Sequence, residues 1–239
     1  MTEILFVHGA LVGDGDWWWR RAAEIVERTT GVRSRAVALP SCGETEASPG
    51  TSGLADDALA LTRALDDSTD GALVVGHSYG GTVIAEGAAH PAVEHLLYIS
   101  SYLPEVGMSQ SSIMSDEADP VAIAPNADGT LAVSGYDEAS FSTRFLHDVD
   151  DDSMRADAWA RVTPQGAGAF LTPTTEAAWQ GHPSTYVVCT DDHSTSVSLQ
   201  RAHAARATRS IDLPTGHHPF LSRPGLIATI VKEILTPAQ

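Results

Sequence analysis

A serine in a glycine-rich turn is the residue of this sequence best suited to act as a nucleophile. The stretch 74–81 reads VVGHSYGG, in which Gly76–Gly80 match the pattern G-x-S-x-G. The apolar run Ala72–Val75 predicts a strand before the turn, and the small and apolar run Thr82–Ala89 predicts a helix after it. A serine between a strand and a helix takes a strained backbone that flanking glycines leave room for. We therefore predict that Ser78 is a nucleophile at the carboxyl edge of a sheet.

A serine hydroxyl needs a base to take its proton, and the base needs an acid that orients it. Two adjacent histidines, His217 and His218, follow the last predicted strand. Two adjacent aspartates, Asp191 and Asp192, follow the strand before it. Parallel strands end at one edge of their sheet, so both pairs are placed to reach Ser78. Their position does not choose between the members of either pair.

The attacked carbonyl oxygen gains negative charge, which two backbone amides can stabilise in an oxyanion hole. One amide is expected from Tyr79, the residue after the predicted nucleophile. The other is expected from the loop after the first predicted strand, where Gly9 lets the backbone approach a substrate closely. We assign this second amide to Ala10.

The elements that must position these groups alternate along the chain. Strands are predicted at Ile4–Val7, Arg35–Leu39, Ala72–Val75, Leu96–Ile99, Tyr186–Cys189 and Arg209–Leu213, and helices at Trp17–Thr29 with Asp16 as its cap, Leu54–Leu65, Thr82–Ala89, Val197–Ala207 and Leu226–Ile234. This order predicts an α/β fold with a doubly wound, mostly parallel sheet. Residues 104–183 break the alternation, with helical patterns at Tyr136–Leu146 and Ser153–Arg161. We expect a mainly helical lid at 104–183, inserted into a core of 1–103 and 184–239.

Composition and charge argue against several classes of partner. The 239 residues are 43% hydrophobic, which suits a globular chain with a sizeable core. The net charge of −17 repels phosphate backbones and anionic lipids, so neither nucleic acid nor a membrane is an expected partner. Without a recognisable signal peptide or membrane-length apolar run, we expect a cytoplasmic protein with Cys42 and Cys189 as free thiols. The oligomeric state stays open, and a homodimer is compatible with the sequence.

The motifs together resemble the α/β-hydrolase superfamily, in particular the small-lid branch of plant methylesterases, hydroxynitrile lyases and bacterial esterase-like hydrolases. The resemblance rests on the segments FVHGA, GHSYGG, SYLPEVG, PSTYVVCTDD and GHHPFLSRP and covers nearly the whole chain. It implies that Asp192 is the acid, because Gln200 fixes the offset, and that His217 is the base. The chain departs from the pattern at Ser196, where proline is frequent, and at His218, where a serine or another small or polar residue is frequent.

This resemblance implies a cofactor-free serine esterase that cleaves a small or medium apolar carboxylic ester through an acyl-enzyme. One alternative is a lyase of the hydroxynitrile type. Such lyases carry threonine and lysine where this chain has Gly9 and His218, which favours hydrolysis. The other alternative is a ligand-sensing receptor that retains the catalytic triad, which the absence of turnover would distinguish.

The expected substrate contacts are Gly9, Leu11, His218, Phe145 and Trp159. Apolar residues of the predicted lid are expected to line the pocket or to form the lid's own core: Ile113, Met114, Phe141, Phe145, Leu146, Met154, Trp159, Phe170 and Leu171.

Structural roles are expected for several other conspicuous residues. His8 and His77 are predicted to bridge loops, and Trp17–Trp19 to pack a helix on the sheet. No metal site is expected at His193 or in the acidic run Asp148–Asp152, since no set of ligands clusters there in the sequence.

Overall fold

A six-stranded parallel sheet forms the centre of the chain in the computed structural model, which describes residues 3–236. In chain order the elements are β1 (Glu3–Val7), α1 (Gly15–Thr30), β2 (Ser34–Ala36), α2 (Leu54–Asp66), β3 (Ala72–His77), α3 (Gly80–Gly87), β4 (Val93–Ile99), α4 (Gln110–Met114), β5 (Ile123–Pro125), β6 (Thr130–Val133), α5 (Glu138–Phe145), α6 (Asp152–Trp159), β7 (Gln165–Gly166), α7 (Gly168–Leu171), β8 (Ser184–Cys189), α8 (Val197–Ala204), β9 (Arg209–Leu213), α9 (Pro219–Ser222) and α10 (Pro224–Leu235).

The sheet has the order β2-β1-β3-β4-β8-β9, with all neighbouring strands parallel. Alternate residues of β1 face opposite layers: Ile4 and Phe6 pack with α1 and α10, whereas Leu5 and Val7 pack with α2 and α3. The predicted α/β fold with a mostly parallel sheet is confirmed. The strand order reverses between β1 and β3, and ligands of open α/β sheets bind at the carboxyl side of such a reversal. Within residues 3–236, no helix is long and apolar enough to cross a membrane.

Two predicted elements have different limits. The cap of α1 is Asp14, whose carboxylate accepts the Trp17 N–H at 3.2 Å. Asp16 instead lies in the first turn and accepts the Ala36 N–H. The second strand is shorter than predicted, because the Leu39 N–H turns away from β1 to the carboxylate of Glu44 at 2.7 Å.

The segment between β4 and β8 contains more than helices. Helices α4 to α7 accompany a small antiparallel sheet of β5, β6 and β7, which the sequence did not indicate. These strands have two to four residues and include Pro125 and Gly166, so they show no alternating pattern long enough to read. The limits 104–183 for an inserted lid stay a prediction.

The three consecutive tryptophans pack mainly between α1 and its neighbours. Trp19 stacks on Phe6 of β1 with ring centroids 4.5 Å apart, and Trp18 is equally buried. Trp17 is half-buried under the guanidinium of Arg161, 4.3 Å from the ring centroid. Burial of the large rings therefore fixes α1 on the sheet.

Glu44 joins the loop after β2 to the loop after β1 and to the start of α1. Its carboxylate accepts the N–H groups of Gly15 and Leu39 and lies 2.9 Å from Nε2 of His8. Burial opposes the charged form, but the hydrogen bond and charge of His8, with the two amides, outweigh it and lower the pKa of Glu44 to about 2. The carboxylate is thus ionised in the folded chain.

Glu44→Gln should lower the free energy of unfolding by about 2 kcal/mol at neutral pH. A depressed pKa gives stability that is complete above the ordinary value of 4.5 and disappears as the pH falls toward about 2. The difference from wild type should therefore shrink below pH 4.5, as measured by urea unfolding at several pH values. The exposed Glu46→Gln is the matched control. An equal loss in both variants, or a loss independent of pH, would contradict the role of the ionised carboxylate.

Candidate active site

Ser78 lies in the turn between β3 and α3 with a positive φ of 51°. Non-glycine residues rarely adopt this conformation, and such strain is concentrated at functional sites. The turn also needs a glycine at position 80, because a Cβ there would lie 2.3 Å from the carbonyl oxygen of Val7. The structure thus has the strained serine and the tight turn that the sequence predicted, and Gly80 is required by the close packing of the turn on β1.

His217 and Asp192 meet beside this turn. His217 Nδ1 donates to Asp192 Oδ2 at 2.8 Å, and both side chains are buried. With Nδ1 as the donor, Nε2 is left as the acceptor, which a general base requires. Burial opposes ionisation of Asp192, but the charge and hydrogen bond of His217, with hydrogen bonds from Ser100 and the Ser194 amide, lower the pKa of the carboxyl.

The carboxylate of Asp192 has a full set of donors. Its Oδ1 accepts the N–H groups of Ser194 at 2.7 Å and Thr195 at 3.1 Å. Its Oδ2 also accepts from Nε2 of Gln200 at 3.1 Å, the residue on which the resemblance placed the acid. Asp191 faces away with 63% of its side chain exposed. The structure thus brings Asp192, and not Asp191, to His217.

Ser100 is a member of this cluster that the sequence analysis missed. It follows β4 with φ of 41°, and its hydroxyl donates to Asp192 Oδ2 and lies 3.1 Å from Nδ1 of His217. A strained residue that contacts both Asp192 and His217 fixes the position of both side chains. The available signal was a polar residue directly after a buried strand, at the edge where Ser78 also lies.

The loop after β1 lies against the serine. A Cβ on Gly9 would come within 3.2 Å of Ser78 Cβ and 3.1 Å of Nδ1 of His77, so a side chain at this position would crowd the site. Within residues 3–236, the N–H groups of Ala10 and Tyr79 have no acceptor in the protein. Both amides predicted for an oxyanion hole are therefore free to bind another oxygen.

A buried polar network holds this loop in place. The backbone of Leu11, at φ of 60°, donates to Oε1 of Gln165 at 2.9 Å and accepts the Thr163 N–H at 2.9 Å. Gln165 Nε2 donates to the hydroxyl of Ser41, which in turn donates to Asp57. Asp57 in turn accepts the hydroxyl of Tyr79 at 2.7 Å. The network connects the segments that carry the two predicted oxyanion donors, and no pattern in the sequence indicates it.

The cavity over Ser78 is mainly apolar, with an empty space of about 610 Å³ that includes its mouth. Its walls are Gly9, Ala10, Leu11, Val12, His77, Ser78, Tyr102, Gln110, Met114, Val121, Val133, Phe141, Phe145, Phe170, Ser194, His217 and His218.

Burial raises the pKa of Tyr102 to about 12, against a smaller lowering by its contacts with Thr195 and Ser78. Its phenol therefore stays protonated as a hydrogen-bond donor beside the serine.

The other histidines of the site are buried and held by hydrogen bonds. His77 Nε2 donates to the His217 carbonyl at 3.0 Å, and His218 Nδ1 donates to the Phe145 carbonyl at 3.0 Å. Burial and the neighbouring His217 and His218 hold the pKa of His77 well below its ordinary value. Burial, with His217, lowers the pKa of His218 to about 3. Both rings are neutral at physiological pH. His8 is likewise held between loops, with Nε2 on Glu44.

Other predicted contacts lie elsewhere. Trp159 packs behind Phe141, with ring centroids 5.4 Å apart, and is not part of the cavity wall. The Leu171 side chain is 62% exposed, so it does not line the pocket either. The sequence analysis did not place another histidine beside His193, and the structure brings His147 there, with ring centroids 3.9 Å apart.

Comparison with known proteins gives consistent findings. A sequence model described as the alpha/beta hydrolase family matches residues 4–230. An alpha/beta hydrolase of Aspergillus novofumigatus (strain IBT 16806) is 25% identical over 214 residues, covering 83% of each chain. A pyrethroid hydrolase from Sphingobium faniae JZ-2 has a TM-score of 0.83 at 21% identity, over 99% of this chain and 98% of that one. A methylesterase from Arabidopsis has a TM-score of 0.76 at 16% identity, over 98% and 99%.

Proposed function

Because the chain belongs to the alpha/beta hydrolase family, we propose that it is a serine hydrolase that cleaves a small or medium apolar carboxylic ester. One observation carries the proposal: a buried His217, bonded to an ionised Asp192, lines the same cavity as the strained Ser78. These are the base, acid and nucleophile that acyl transfer requires.

In the proposed reaction, the Ser78 hydroxyl attacks the ester carbonyl while Nε2 of His217 takes its proton. The amides of Ala10 and Tyr79 stabilise the oxyanion. His217 then protonates the leaving alcohol, which departs and leaves an acyl group on Ser78. A water molecule, deprotonated by His217, hydrolyses this acyl-enzyme and restores the serine. Only side chains and backbone amides take part, so the proposal includes no cofactor.

The walls of the cavity support an apolar substrate. Met114, Phe141, Phe145 and Phe170 surround the space over Ser78, and no Lys or Arg side chain among residues 3–236 lines it. Removal of an apolar substrate group from water against such a wall favours binding. A charged substrate group would find no counter-ion there. The net charge of −17 also disfavours the approach of polyanions.

The environment of His218 supports hydrolysis over the lyase alternative. Its ring is buried, neutral and bonded to a carbonyl, with a pKa of about 3. It therefore supplies no positive charge at the position where the hydroxynitrile lyases that this chain resembles carry a lysine. We accordingly propose hydrolysis. A receptor that retains the triad would differ from a hydrolase only in failing to turn over an ester repeatedly.

The expected test result is repeated turnover of 4-nitrophenyl esters without cleavage of mandelonitrile. The ratio kcat/KM should rise about tenfold from the acetyl to the butanoyl ester, because two more methylene groups leave water. Met114→Ala should reduce this preference, whereas the exposed Leu171→Ala should not. A steady fall of kcat/KM from acetyl to hexanoyl, or preference for a charged ester, would refute the apolar pocket. A single turnover would favour the receptor, and mandelonitrile cleavage the lyase.

A further inference from the structure

Two loops meet outside the cavity and bring three metal-binding side chains together. His147 follows α5, whereas Asp191 and His193 lie in the loop after β8 on either side of Asp192. Nε2 of His147 is 3.3 Å from one carboxylate oxygen of Asp191, and Nε2 of His193 is 3.9 Å from the other. One ligand atom from each of the three residues lies within 4.8 Å of the others.

The types of these side chains match one class of ligand. Two imidazoles and a carboxylate bind Zn²⁺ or a similar divalent transition cation, at about 2.0–2.2 Å and with tetrahedral geometry. Water would complete the four positions. The two rings now stack with an interplanar angle of 11°, and His193 is 53% exposed. Solvent exposure leaves its ring free to turn toward a shared ion.

The electrostatic surroundings also favour a cation. The acidic run Asp148–Asp152 follows His147 directly, and the chain as a whole carries a net charge of −17. Such a field raises the local concentration of cations. By contrast, the pair of His90 and Asp66 has nearly the same separation, 3.2 Å, but belongs to no cluster of three such ligands in the described part of the chain.

The cluster also connects segments that build the active site. His147 is two residues beyond Phe145, a wall of the cavity. The next residue, Asp148, accepts the Gly216 N–H at 2.8 Å and the Ser222 hydroxyl at 2.7 Å, and so contacts the loop of His217. A metal ion here would tie the segment after α5 to the loop of Asp192.

We propose that His147, Asp191 and His193 form a binding site for one divalent transition cation of the zinc class, which joins these two segments. An ion bound to the folded chain but not to the unfolded chain raises stability by mass action. Its effect is therefore measurable without any assay of catalysis, and the proposal stands apart from ester hydrolysis.

The experiment is calorimetric titration of the full-length, metal-free protein with Zn²⁺, together with its Tm at each concentration. Wild type should bind about one ion per chain, with a Tm that rises with Zn²⁺. His147→Ala and His193→Ala should each weaken binding by about tenfold or more, since loss even of an outer partner costs this much. His90→Ala, the matched control, should bind as wild type does.

The buried cluster of His77, His217 and His218 is the competing location, and a second variant separates the two. His217→Ala should retain the Zn²⁺ affinity and the Tm shift of wild type. Loss of binding in His217→Ala with retention in His193→Ala would overturn the proposal, because the ion would then sit in the cavity. Absence of saturable binding to wild type, or equal weakening in all variants including His90→Ala, would also overturn it.

Discussion

Ser78→Ala is expected to reduce kcat for ester hydrolysis by about 10⁴-fold or more while leaving the Tm nearly unchanged. Without the hydroxyl no acyl-enzyme forms, and only binding and the two oxyanion amides remain to accelerate attack by water. The stability of Ser78→Ala should stay close to that of wild type although its activity is lost. The strained φ of 51° is imposed by the turn and is equally unfavourable for serine and alanine.

A second serine of the cavity provides the matched control. Ser194 also lines the pocket, but it bonds to Asp192 through its backbone N–H, which Ser194→Ala retains. We expect this variant to lose about tenfold at most. A serine-directed fluorophosphonate should label wild type at Ser78 and should not label Ser78→Ala. A label on another residue, or similar losses in the two variants, would refute Ser78 as the nucleophile.

The parts of the site that sequence could predict are those encoded in short segments. The strand, turn and helix around Ser78 are contiguous, and glycines marked the turn because a Cβ at Gly76 would meet α3 and a Cβ at Gly80 would meet β1. The location of the histidine pair could be predicted for a related reason. A loop after a parallel strand must emerge at the edge where the other strands end, and His217 lies in such a loop. Local pattern and topology thus placed the candidate nucleophile and the pair His217 and His218, whereas the choice of His217 as the base came from the resemblance.

The choice between Asp191 and Asp192 needed the resemblance, because adjacent carboxylates are equivalent in a pattern. The structure supplies the physical reason: Gln200 lies in α8, and its amide donates to the carboxylate of Asp192, which points inward. The partners in contacts over long separations could not be predicted from local patterns. Leu11 and Gln165 are 154 residues apart in the chain, and Ser100 reaches Asp192 across 92 residues. Trp159 was misplaced for the same reason, since apolar character does not say which neighbour covers a ring.

The second large effect is expected at the acid. Asp192→Asn should reduce kcat by about 10³- to 10⁴-fold. The amide oxygen can still accept the N–H groups of Ser194 and Thr195, which directs the NH₂ group toward Nδ1 of His217. Two donors then face each other, so the imidazole favours the tautomer with its proton on Nε2. In that tautomer His217 cannot accept the proton of Ser78.

Asp191→Asn tests the same chemistry one residue away. Its side chain is mostly exposed and lies next to His147 and His193 rather than His217, so we expect a loss of about tenfold or less. The comparison of kcat for the two variants, made with one ester and at matched Tm, isolates the effect of the tautomer from that of a lost negative charge. If Asp191→Asn proved the more damaging change, His217 would take its orientation from the outer carboxylate. The bond of 2.8 Å to Asp192 would then have no catalytic role.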